Sequence, residues 1–148
     1  MKKVLVCKEK DERETRVAMI PDDVKKLTGM GFEIKVVSGA GLKSGFSDEA
    51  YKSAGAAIVA KEEDAYADSE IVVRIMKPES IDGIKEGTLH LSYMDPFNNK
   101  DLLNDFAKKG IQAVSLEMIP RSTLAQKMDV QSSQTSLAGY VAVLNAAA

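Results

Sequence analysis

Two groups of residues in this 148-residue chain have types and spacing that could do chemistry. The first is a polar segment near the carboxyl end, residues 117–136, with one Arg, one Lys, two acidic residues, six Ser or Thr and three Gln. Its side chains offer hydrogen bonding and charge, but composition alone leaves the segment undecided. The second group follows the apolar runs: Lys8 and Glu9, Ser38 and Gly39, Lys77, Asp95 and Glu117, with Arg16 in the loop after the first run. Each alone is an ordinary solvated loop residue. If the runs are strands of one open α/β sheet, they converge on its carboxyl edge, where such sheets bind ligands. No metal site is expected.

The elements that must position these residues are legible in the hydrophobic pattern. Short apolar runs recur at residues 4–7, 34–37, 56–59, 71–75, 89–93 and 111–116. Helical segments separate them, with Val24, Leu27 and Met30 on one face and Leu102, Leu103 and Phe106 on another. Pro21 marks a helix start and Gly31 its end; Ser47 caps the next helix; Asp95 followed by Pro96 opens the one that Gly110 closes. This alternation predicts an α/β domain over residues 1–130, with a mostly parallel, Rossmann-like or flavodoxin-like sheet flanked by helices. A helix over 131–148 follows, with Leu137, Val141, Leu144 and Ala148 at i, i+4, i+7 and i+11. Gly139 inside that helix implies a close approach, either a tight helix crossing or a ligand. Thr123-Leu-Ala-Gln126 also fits a capping box that opens a helix.

Composition bounds the rest. With 45% hydrophobic and 28% charged residues the chain can bury a core and is expected to be a soluble globular domain. A net charge of −2 with scattered Lys and Arg gives nucleic acid or an anionic membrane no basic face to meet. Cys7 is the only cysteine, which excludes an intrachain disulfide and fits a buried small hydrophobe in a reducing compartment. No run approaches the roughly eighteen apolar residues of a spanning helix. His90, the only histidine, sits inside an apolar run and reads as a core residue.

Gly39-Ala-Gly41-Leu-Lys-Ser-Gly45 follows a strand-like run and invites the dinucleotide fingerprint. The third Gly comes one place late and Phe46-Ser47-Asp48 intervenes before the helix, so these glycines read as turn residues with positive φ.

The run Arg121-x4-Gln126-x-Met128-Asp129-x2-Ser132-Ser133-Gln134-x3-Ala138-Gly139-Tyr140-x-Ala142-Val143 resembles a segment of the alpha subunit of proton-translocating NAD(P) transhydrogenase, where the chain enters the nucleotide domain. That subunit is the NAD(H)-binding component and shares a superfamily with alanine dehydrogenase. Arg16-Val-Ala-x2-Pro21 and the block Gly39-Ala-Gly41-x3-Gly45-Phe46-x-Asp48-x2-Tyr51-x2-Ala54-Gly55-Ala56 resemble its amino-terminal domain. The resemblance implies a loop beside the nicotinamide of NAD(H), touched by Arg121, Gln126, Asp129 and Ser132. Arg121 would bond the carboxamide or a phosphate, Gln126 and Ser132 would orient the ring, and Asp129 would hold Arg121 or the loop.

The same resemblance bears on which member this is. Alanine dehydrogenases use an Arg in the block of Arg16, a Lys at the end of the fourth strand and a His after the fifth. Here Met76 takes the lysine position with Lys77 one residue out of register, and Asp95 takes the histidine position. Arg16, Lys77 and Asp95 are therefore possible cleft residues, and no catalytic acid or base is expected. A transhydrogenase passes hydride directly between NAD(H) and NADP(H), which calls for positioning and not for proton transfer. The alternatives are a fragment of an alanine-dehydrogenase-like enzyme and a non-catalytic α/β assembly module. The resemblance further implies that the G-x-G-x-x-G domain and a returning segment lie outside these residues, in a longer chain or a partner of a split subunit. It also implies membrane and NADP(H)-binding partner components and a cytoplasmic location peripheral to the inner membrane. Separately, the apolar stripe of the carboxyl-terminal helix is expected to be covered in a homodimer or by the region outside these residues.

Overall fold

The computed structural model describes residues 2–147, so Ala148, the last position of the predicted stripe, lies outside the described residues. Six strands form one parallel sheet: β1 Lys3–Val6, β2 Glu33–Val37, β3 Ala57–Val59, β4 Ile71–Val73, β5 Leu89–Ser92 and β6 Gln112–Ser115. Their order is β3-β2-β1-β4-β5-β6, the Rossmann arrangement, with the winding direction reversing between β1 and β4. Val4, Leu5 and Val6 of the central strand are all buried, which is why that strand reads as a continuous apolar run and not as an alternation.

Helices α1 Pro21–Gly29, α2 Asp48–Ser53, α3 Glu63–Tyr66 and α4 Lys100–Lys108 cover the faces, and α5 Val130–Ala147 extends beyond them. On one face Val4, Val6, Ile34 and Val36 pack with Val24 of α1 and with Tyr51 and Ala54 at α2. On the other, Leu5, Cys7 and Val72 pack with Ala65 and Tyr66 of α3, Phe106 of α4, and Ile81 and Ile84 of the β4–β5 connection. The thiol of Cys7 is free and buried, and that burial pushes its pKa up.

Several boundaries differ from the sequence pattern for local reasons. Met30 follows α1 as its cap and is 72% exposed, so the packed stripe is Val24 and Leu27 alone. Helix α4 starts at Lys100 and not beside Pro96, because Asp95 takes a left-handed φ of 47° and the N–H groups of Asn98 and Asn99 turn back onto its carbonyl. The four-residue α3 carries too short a pattern to be seen in advance. Apart from its chain neighbours and the backbone of its own helix, no described atom comes within 4 Å of a Cβ built on Gly139, so the close approach expected there is absent among the described residues. Leu137, Tyr140, Val141, Val143 and Leu144 of α5 are all exposed.

The polar interior lies on the α3–α4 face. Arg74 and Glu62 form a buried ion pair at 3.6 Å. His90, fully buried on β5, stacks edge-on against Phe106 with ring centroids 5.1 Å apart. Burial, and then the Arg74 charge, push the His90 pKa down to about 4. The unfolded chain therefore binds more protons than the folded one between about pH 6.5 and 4, and stability falls as pH drops through that window. The effect is on the order of 3 kcal/mol for this one group. A His90→Leu variant should lose that part of the slope: urea unfolding at pH 7 and pH 4.5 should show a smaller drop than in the unsubstituted chain.

Candidate functional site

The carboxyl ends of the strands expose backbone N–H groups that the sheet does not pair. Carboxylates take them. The two oxygens of Glu9, just past β1, accept the N–H groups of Ile75 at 2.6 Å and Met76 at 3.2 Å, which bridges the switch point between β1 and β4. Beyond β2, Asp48 accepts the Gly39 N–H at 2.8 Å and the Ser38 hydroxyl at 2.7 Å. These two donors hold the Asp48 carboxyl below its usual range. Gly39 has φ 72°, as a turn glycine would, and its N–H is committed to protein.

Glu117 does the same for β5 and β6. Its Oε1 accepts the N–H of Met94 at 2.9 Å and that of Asp95, and its Oε2 accepts the Ser115 hydroxyl at 2.8 Å. Burial pushes this carboxyl up, but the hydrogen bonds outweigh burial and hold it below the usual range. Its position fixes the chain immediately before the polar segment.

The part of that segment before α5, residues 119–129, wraps through a short 3-10 turn at Gln126–Met128 into the helix. The helix is capped by Asp129 and not by Thr123: Asp129 accepts the Ser132 N–H at 2.9 Å and the Ser132 hydroxyl at 2.5 Å. Those bonds, with the Arg121 charge as a smaller contribution, hold the Asp129 carboxyl below its usual range. Arg121, Gln126, Asp129 and Ser132 line a single open cavity of about 260 Å³, together with Ser122 and Thr123. All four residues singled out in the sequence are thus brought together.

A second cavity of about 340 Å³ lies against the same first turns of α5, lined by Arg16, Val17, Ile20, Ile75, Tyr93, Val130 and Gln134 among others. Arg16 is held by Glu14 through Nε at 2.8 Å and Nη2 at 2.6 Å, and its Nη1 donates to Gln134 Oε1 at 3.0 Å. Lys77 and Asp95 line neither of these two cavities: Lys77 donates to Asn99 Oδ1, and the Asp95 carboxylate accepts from Asn98. Sequence reasoning missed Tyr93 and Gln134. Tyr93 is the residue after β5 and could have been found by the strand-end rule; Gln134 stands in the family-like run but has no role assigned there, because its partner Arg16 is 118 positions away. A larger cavity of about 410 Å³ lies away from the segment, between Lys8, Lys10, Lys61 and Glu62. Neither cavity beside α5 is lined by a His or Cys; their polar side chains offer hydrogen bonding and charge. Among the described residues there is no cluster fit to hold a metal ion, and no helix long and apolar enough to cross a membrane.

Known proteins share this fold. The family model described as "Alanine dehydrogenase/PNT, N-terminal domain" matches residues 5–138. An NAD(P) transhydrogenase alpha-subunit chain of Rhodospirillum rubrum is 36% identical over 152 residues, which cover 98% of this chain and 40% of that protein. Alanine dehydrogenase of Bacillus subtilis is 33% identical over 138 residues, 85% of this chain and 36% of that one. This chain therefore spans well under half the length of these relatives. The crystal structure of transhydrogenase from Sinorhizobium meliloti superposes with a TM-score of 0.92 at 38% identity, over 99% of this chain and 44% of its own.

The hydrogen bonds of Glu117 predict the effect of removing them. Glu117→Ala leaves two backbone N–H groups at the β5 end without their acceptor and should cost about 1–3 kcal/mol. Glu117→Gln, which keeps an amide oxygen for those N–H groups, should cost less. Thermal unfolding of both variants checks the order.

Proposed function

This chain belongs to the alanine dehydrogenase/transhydrogenase amino-terminal domain family, and on that premise we propose that it supplies one wall of the nicotinamide pocket of a transhydrogenase NAD(H)-binding component. The observation that carries the reading is the shared cavity of Arg121, Gln126, Asp129 and Ser132. The donor set suits the nicotinamide end of NAD(H): a guanidinium and an amide to meet a carboxamide or phosphate oxygen, and a carboxylate whose charge faces Arg121. When bound, NAD(H) supplies the hydride. The chain's own residues bind and orient: Arg121 donates to the carboxamide or a phosphate, Gln126 and Ser132 fix the ring plane, and Asp129 holds Arg121 and the start of α5.

This division of labour needs no acid or base, because hydride transfer between nicotinamides moves no proton at the reacting carbon. An amino-acid dehydrogenase would need Arg16 free for a substrate carboxylate, and here Glu14 takes its Nε and Nη2 while Gln134 takes its Nη1. In this reading residues 1–130 form the amino-terminal domain and 131–148 the helix that leads to a nucleotide-binding domain. NADP(H) sits on a partner component, the assembly is a dimer, and it docks at the inner membrane through other subunits.

Titration of NADH by fluorescence tests it, with the chain alone and with the chain joined to the remainder of the Rhodospirillum rubrum relative. The joined protein should bind and the chain alone should bind weakly or not at all. Arg121→Ala in the joined protein should weaken binding roughly tenfold or more, as loss of a hydrogen bond from a charged donor does. Unchanged binding and hydride transfer in that variant would remove Arg121 from the pocket.

A further inference from the structure

Residues 7–20 run from β1 to α1 without helix or strand and carry Arg16, Val17 and Ile20 into the second cavity. A loop of this length inside a packed domain needs its backbone groups held by something. Some N–H groups are met within the loop itself, those of Arg13 and Arg16 by the Asp11 and Glu14 carboxylates, but five of its carbonyls are held by the segment whose glycines mimic a dinucleotide fingerprint and by the helix just after it. The Lys43 ammonium donates to the carbonyls of Glu12 at 3.0 Å and Asp11 at 3.2 Å, and reaches that of Glu14 at 3.5 Å. The neighbouring Ser44 hydroxyl donates to the Thr15 carbonyl at 2.6 Å, and the Tyr51 hydroxyl to that of Met19 at 2.8 Å. Gly41 makes room for this: a Cβ there would lie 2.6 Å from the Tyr51 ring.

We propose that Lys43 is the positioning residue for Arg16: its ammonium, held by the carbonyls of Asp11, Glu12 and Glu14, fixes the loop that carries the guanidinium to Gln134 and the α5 cleft. An ammonium with three rotatable donors suits three converging carbonyls; a planar guanidinium does not. Lys43 makes no salt bridge among the described residues, so its charge is met by these carbonyl dipoles. Arg16 in turn joins Glu14 to Gln134, so the height of the loop and the seat of α5 are set together.

The importance given to the cleft rests on the proposed function, but the test reads the loop and not cofactor binding, so the two can fail separately. NMR of the isotope-labelled chain should show the Arg16 Nε–H slowed in exchange by Glu14, and the Lys43 ammonium protons visible and slowed by their carbonyls. In Lys43→Met the Arg16 Nε–H and the amides of residues 13–16 should exchange at least tenfold faster while the β-strand amides keep their protection. Lys43→Cys should behave like Lys43→Met and regain slow exchange after aminoethylation, which rebuilds a lysine-length ammonium; Cys7 is buried and is spared by the reagent. Unchanged Arg16 exchange in Lys43→Met, or no rescue on aminoethylation, overturns the proposal. If the variants do not fold, fast-exchanging Lys43 ammonium protons in the unsubstituted chain overturn it directly.

Discussion

Unpaired backbone N–H groups at the carboxyl ends of parallel strands are the constraint on which this structure turns. In a Rossmann-ordered sheet the edge beside the switch point is where a dinucleotide phosphate is received, because N–H groups there point outward and need an anion. In this domain the anion is built into the chain. Glu9 spans the ends of β1 and β4, Asp48 closes the end of β2, and Glu117 closes the end of β5. Asp129 repeats the device at the start of α5. A charged hydrogen bond of this kind is stronger than a neutral one, and a buried N–H left without it is costly.

From this follows the lateral placement of the candidate site. With the N–H groups at the switch point taken by Glu9, the proposed site draws instead on the polar groups displaced toward α5. The polar segment hangs beyond β6, fixed at its base by Glu117 and at its far end by the Asp129 cap. Arg121 and Gln126 are exposed on it, so they are held by the backbone around them and not by burial. On the opposite side of the first turns of α5, the Arg16–Glu14–Gln134 chain of hydrogen bonds ties the β1–α1 loop to the same helix. The two cavities are thus neighbours that share one support.

Much of this was legible in the sequence, and what was not has physical causes. The six strands were readable because most of them are uninterrupted runs or alternations bounded by Gly, Pro or Asp, and Phe106 and Val24 declared the packed faces of their helices. The resemblance at Arg121–Val143 located the polar segment, and the fold gathers its four marked residues into one cavity. Asp95 misled the α4 boundary because its left-handed backbone depends on Glu117, twenty-two positions away in sequence. Thr123 misled the cap because no α-helix opens behind it: the chain makes only a 3-10 turn there, and α5 starts at Val130 with Asp129 as its cap. Gly139 suggested contact, but α5 around it stands exposed beyond the first turns that meet the domain, and no local pattern can say what a helix meets. Lys43 carried no signal at all, since a lysine in a glycine-rich turn looks like solvent-facing charge.

The central claim, that carboxylates close the phosphate position of this domain and leave the α5 side to receive a nicotinamide, is tested most directly by NMR titration of the joined protein, isotope-labelled over residues 1–148, with the two halves of NADH. Reduced nicotinamide mononucleotide should shift amide signals within residues 121–132, whereas ADP should leave Gly39, Ile75 and Met76 unmoved. Shifts of Gly39, Ile75 and Met76 on adding ADP, with residues 121–132 silent to the mononucleotide, would contradict the account.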